Sequence, residues 1–123
     1  MTPKPLRVFV YWNLHRKMWS VKALEGPDKG RVVLRTNGPV VLRRVTAKVS
    51  EAGRQRVLRE GKKNVHAGIV GEYMGGSAAA LTPDARLVTY RPYLQGHFTY
   101  TDDGSKYEGS DLAILDNKRV YVA

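Results

Sequence analysis

The chain has 123 residues, 42% hydrophobic and 26% charged, with no cysteine and a formal net charge of +10. That length fits one domain spanning 1–123 with a modest core, and the lack of cysteine excludes disulfides, thiol nucleophiles and thiolate metal sites. No run approaches the roughly 18–20 apolar residues that span a bilayer, and residues 8–13 are too short and polar a stretch for a signal-peptide core, so a cytoplasmic protein is expected.

Most of the chain reads as strands. Residues 6–14 are dense in β-branched and aromatic side chains after Pro3 and Pro5. Residues 18–24 and 31–36 are short strands around the turn chemistry of 25–30, and Asn37-Gly38-Pro39 reverses the chain again. Residues 40–49 follow with partial alternation, Leu42 facing one way and Arg43 the other. Consecutive strands with short turns predict an antiparallel meander.

One helix is expected, over 51–60. Ser50 suits the N-cap, Glu51 places an anion in the first turn, and Gly61 supplies a left-handed C-terminal residue. Gly53 costs it roughly 1 kcal/mol relative to Ala, which predicts that packing on the sheet holds it. Val57 and Leu58 share one side, Arg56 and Arg59 the other, and Arg54 falls nearer the apolar side.

A strand at 65–74, a small-residue loop at 75–83 and a strand at 87–93 follow. Residues 96–101 and 106–107 flank Asp102-Asp103-Gly104-Ser105, a hairpin signal, and 112–123 read as strand, turn, strand. The expected fold is α+β and strand-dominated: a curved antiparallel sheet or small barrel with one short helix.

The charge is unevenly spread. Residues 1–66 hold 16 of the 21 Lys and Arg and 4 of the 11 Asp and Glu, a net of +12, whereas 67–123 carry −2. A basic half of this kind favours polyanions. Its densest part is Arg54, Arg56, Arg59, Lys62 and Lys63, with Arg43, Arg44 and Lys48 just upstream. Guanidinium forks take phosphate oxygens in pairs and Lys adds point charge, so this cluster is the candidate site for nucleic acid. The plainer alternative is a solvated face with internal pairs, Glu51 with Arg54 or Arg56 with Glu60.

Phe9, Tyr11, Trp12 and Trp19 lie among Arg7, Arg16 and Lys17 and are candidates for stacking on unpaired bases. By alternation Phe9 and Tyr11 share a face opposite Val8, Val10 and Trp12; packing under the helix or a loop is the competing use of either set. Among the histidines, His66 beside the cationic cluster is a weak candidate general base, with His15 or Glu60 as acid and Arg59 on the phosphate. A structural histidine is the plainer reading of each. No histidine pair has ligand spacing, so no metal or other cofactor is expected.

The segments Asn13-Leu14-His15-Arg16 with Trp19-Ser20, and Ser50 to Glu60 running into Lys63-Asn64-Val65-His66-Ala67, resemble small accessory proteins of tailed bacteriophages over about residues 8–73. That family has no established activity, so the resemblance implies no catalytic residue. It implies a context, the cytoplasm of the bacterial host during takeover or counter-defence. The resulting expectation is a non-enzymatic protein that binds RNA or DNA through the basic helix and strand. The alternatives are an inhibitor docking the same patch on an acidic host protein, and a small metal-independent ribonuclease using His66.

Overall fold

Alternation in Arg7–Asn13 sends Val8 and Val10 to one face, where both are fully buried, and leaves Phe9 and Tyr11 half-buried on the other. The same logic recurs along the chain in a computed structural model, which describes residues 6–13, 16–61, 67–74, 85–89, 97–117 and 119–123. The strands are β1 (Arg7–Asn13), β2 (Met18–Ala23), β3 (Val32–Thr36), β4 (Val40–Val49), β5 (Ala67–Tyr73), β6 (Arg86–Thr89), β7 (Phe98–Tyr100), β8 (Lys106–Tyr107), β9 (Gly109–Asp116) and β10 (Arg119–Val122). A helix, α1 (Glu51–Glu60), joins β4 to β5. The expected loop at 75–83 lies outside the described residues.

All pairings are antiparallel, in the order β3-β2-β1-β5-β4-β9-β10-β6-β7-β8. The fold class therefore agrees with the sequence: a strand-dominated, curved sheet with one helix. Curvature shows at the far end, where Glu108 alone separates β8 from β9 and its carbonyl accepts from the Ala47 amide at 3.1 Å. The last strand in the order thus returns beside β4. One cluster fills the concavity, from Val8, Val10, Trp19 and Val21 through Leu42 and Ile69 to Phe98, Tyr107, Leu115 and Val120. Each such side chain contributes about 1.5–3 kcal/mol by leaving water.

The meander stops after three strands. β4 does not pair with β3; β5 sits between β1 and β4, and β4 takes β9 as its other neighbour. The turn at Asn37-Gly38-Pro39 explains the departure, because it is fastened to β9. The Asn37 carbonyl accepts from the Asn117 amide at 2.7 Å. Gly38 (φ +109°) lies so close that a Cβ there would meet the Leu115 carbonyl at 2.7 Å. β3 is left as an edge, with Val33 and Leu34 exposed.

The helix forms where expected but is not packed on the sheet: none of its ten residues is buried. Val57 and Leu58 have no apolar residue one turn away, so there is no stripe to bury. Its ends hold it instead. Ser50 Oγ accepts from the Gly53 amide at 3.2 Å, and Gly61, left-handed at φ 66°, donates to the Val57 carbonyl at 2.9 Å.

Candidate nucleic-acid interface

β4 carries its core positions at Val40 and Leu42, then at Val45, Ala47 and Val49. The parity changes because Arg43 and Arg44 form a bulge, marked by a register shift against β5 between Arg43 and Thr46. Arg44 takes a left-handed φ of 52°, a conformation costing an L-residue about 1–2 kcal/mol. The result is two consecutive arginines in solvent. Strict alternation would have buried Arg44 with Leu42.

Glu72 is the carboxylate at this place. It stands opposite Arg7 on one side and Arg43 on the other, and its Oε1 lies 3.7 Å from Arg44 Nη1. Arg44 remains 83% exposed, so the pair is a weak surface contact. Three cations around one carboxylate leave the row net positive.

On α1 the arginines divide. Arg54, 18% exposed, holds Glu51 with Nε and Nη2, each at 3.1 Å, and Glu51 also accepts from Gln55 Nε2 at 2.9 Å. Its fork is therefore already occupied. Arg56 and Arg59 are exposed with no ion pair among the described residues, and the Arg56–Glu60 pair is not formed. Leu58 beside them is 60% exposed. Arg43 and Arg44 lie about six residues before Ser50, roughly 20 Å down β4, so they and the helix are two separate sites. Lys62, Lys63, His66 and His15 lie outside the described residues.

The four aromatic candidates split by face. Trp19 is fully buried in the core, and Trp12 packs edge-on against it with ring centroids 5.1 Å apart. Trp19 cannot stack on a base, because no part of it reaches solvent, and Trp12 is committed to the same cluster. Phe9 and Tyr11 face the other way, 5.7 Å apart and inclined by 32°. Lys48 Nζ stands 6.0 Å from the Phe9 centroid. Cross-strand partners set Lys22 and Val70 beside Phe9, Ser20 beside Tyr11, Arg35 beside Ser20, and Lys48 beside Gly68. Lys22 and Gly68 were not singled out by sequence reading. The hairpin register of β1 and β2 is the signal that finds Lys22.

The later strands present a different surface. Arg86 Nε and Nη2 hold Asp102 at 3.0 and 2.7 Å, Nη2 reaches Asp103 at 3.1 Å, and the guanidinium lies 3.7 Å above the Tyr100 ring. The bond from Arg86 holds Asp102 below the usual carboxylate range, while Asp103 is lowered chiefly by Ser105, whose hydroxyl and amide donate to it. Burial pushes the Tyr107 phenol up, partly offset by its hydrogen bond with Ser110 at 2.9 Å. A cleft of about 350 Å³ between the end of β4 and the β7–β8 hairpin is lined by Val49, His97, Phe98, Lys106 and Glu108 among others. Its Lys106 pairs with Glu108 at 3.4 Å.

Among the described residues no group of three or more His, Asp or Glu is placed to hold a metal, and no helix is long and apolar enough to cross a membrane. No solved structure matches the chain. The profile of the family described as "Mycobacterium phage L5 gene 82 protein" matches residues 1–123. The Gene 82 protein of Mycobacterium phage L5 is 43% identical over 132 aligned positions covering all of both chains. The likeness therefore extends beyond residues 8–73, and the chain belongs to the family of the phage L5 gene 82 protein.

Proposed function

We propose that this protein binds nucleic acid through phosphates, without catalysis, in the cytoplasm of the infected bacterium during host takeover or counter-defence. Arg56 and Arg59 carry the reading. They project from a helix none of whose residues is fully buried, are themselves exposed, and no carboxylate among the described residues neutralises them. Arg43 and Arg44 add positive charge on β4, and Lys62 and Lys63 follow the helix in sequence. Contacts of this kind release counterions and give a steep salt dependence with little sequence readout.

The test is fluorescence anisotropy with labelled RNA and DNA at two salt concentrations. Arg56→Glu with Arg59→Glu is expected to abolish binding near physiological salt and leave the fold intact. Unaltered affinity in the folded double variant rules the reading out.

One observation favours a second reading, an inhibitor of an acidic host protein. Leu58, 60% exposed on the helix that carries the two arginines, though on its other side, has the form of an apolar anchor near positive charge. A stoichiometric partner retained from nuclease-treated host lysate, and lost with Leu58→Glu, supports that reading over the first.

A further inference from the structure

We infer that the outward face of β2, β1, β5 and β4 takes a single strand of nucleic acid, with unpaired bases on Phe9 and Tyr11 and phosphates on Lys22, Arg35 and Lys48. The inference rests on the nucleic-acid reading above and names its substrate class. A half-solvated antiparallel sheet ordinarily shows polar residues on its wet face, yet β1 places two rings there while Val8 and Val10 fill the core.

Gly68 shapes the platform. A Cβ on it would lie 2.4 Å from Phe9 Cε2 and 2.6 Å from Cζ, so only glycine lets the ring reach diagonally across β5. The ring then spans from β1 toward Lys48 on β4. Val70, nearly buried between Phe9 and Thr46, gives an apolar floor.

Charge complements the rings. One cross-strand row runs Lys22, Phe9, Val70, Thr46, and the next holds Arg35 and Tyr11 on either side of a fully covered Ser20, with Gly68 and Lys48 in line beyond. Neither row contains a carboxylate. Aromatic faces flanked by cations suit bases free of a partner strand, because a duplex turns only its base edges and phosphates outward.

Anisotropy of the full chain with single-stranded DNA, single-stranded RNA and duplex DNA of equal length tests this, each at two salt concentrations. Both or either single strand is expected to bind more tightly than duplex, and the two single-strand arms show which sugar is preferred. Phe9→Leu with Tyr11→Leu, which keeps the apolar footprint, is expected to weaken single-strand binding at least about tenfold. Its salt slope and its duplex affinity should stay unchanged, since no phosphate contact is lost.

A folded variant with wild-type single-strand affinity, or no preference for single strands, overturns the inference while leaving the phosphate reading to the Arg56 and Arg59 variant. Binding to none of the three probes overturns both. Should the double variant fail to fold, photocrosslinking of the unaltered protein to an iodouracil-containing strand decides. Adducts on Phe9 or Tyr11 support the platform, and adducts confined elsewhere overturn it.

Discussion

The two ends of the sheet treat their cations differently. In the later strands Arg86 holds two carboxylates and a ring, and Lys106 the Glu108 carboxylate. In the earlier strands and α1, Arg54 holds Glu51 and Arg44 lies near Glu72, while Arg35, Arg43, Arg56 and Arg59 form no ion pair among the described residues. Lys48 stands over an aromatic ring. Both ends use the same residue types. An acid directly opposite does not by itself pair a cation: Glu72 on β5 faces Arg43 yet lies near Arg44, whereas Arg86 is closed on by two carboxylates from the turn after β7.

The aromatic residues of β1 and β2 obey the same division, and they give the largest expected effect. Trp19→Ala is expected to cost about 3–5 kcal/mol, the range for emptying a buried aromatic site. Small domains have only about 5–15 kcal/mol in total, so urea denaturation should show a greatly lowered midpoint. Phe9→Leu, on the wet face, should cost less than about 1.5 kcal/mol and lower that midpoint much less. Equal losses would mean that both faces are core and would end the distinction.

Next in size is a matched removal of charge at the two ends. Arg56→Gln should lower the log–log salt slope of nucleic-acid binding by about 1, the value for one phosphate contact. Arg86→Gln removes the same charge from a clamp already closed on Asp102 and Asp103, so the slope should not move. Equal changes would show that only net charge matters and that placement does not.

Much of this architecture was legible in the sequence. Turn chemistry at 25–30, 37–39 and 102–105, together with β-branched runs, located most strands within a residue or two where they are described, although β9 starts at Gly109 and not at 112. Ser50, Glu51 and Gly61 bracketed α1. Three features were not legible, each for a physical reason. The insertion of β5 between β1 and β4 is a long-range pairing, set by the fastening of residues 37 and 38 to β9, which no local pattern encodes. The bulge at Arg43–Arg44 requires a left-handed arginine, which propensity disfavours. The unpacked helix contradicts the usual rule that a short helix needs tertiary support. Of the candidate site, alternation showed that Phe9 and Tyr11 share a face, but not that this face is the outward one. That Arg54 is occupied by Glu51 while Arg56 and Arg59 are not is a matter of rotamers, and needed coordinates.

The unpacked helix yields a smaller effect. Ser50→Ala should remove about 0.5–2 kcal/mol from α1, by leaving the Gly53 amide without its acceptor. Because α1 buries nothing, the loss should remain local. Amide exchange over 51–60 should accelerate while the global unfolding midpoint holds. A lowered global midpoint would place the helix in the cooperative core.

The smallest effects are in pH, and they belong to the later strands. Asp102 and Asp103 titrate below the ordinary carboxylate range, so their contribution is complete above about pH 4 and lost as pH falls through their lowered values. Both are surface groups, and the change should be slight. Tyr107 acts at the opposite end of the scale. Burial raises its phenol above the usual value near 10, so the folded chain holds that proton more tightly than the unfolded one. Above about pH 10 the unfolded state releases its proton first, and stability declines with further alkali. Tyr107→Phe should abolish that decline while losing the hydrogen bond to Ser110 at neutral pH. Its stability curve should therefore lie below that of the unaltered chain at pH 7 and converge with it in alkali. Parallel curves would mean that another group controls the alkaline limb.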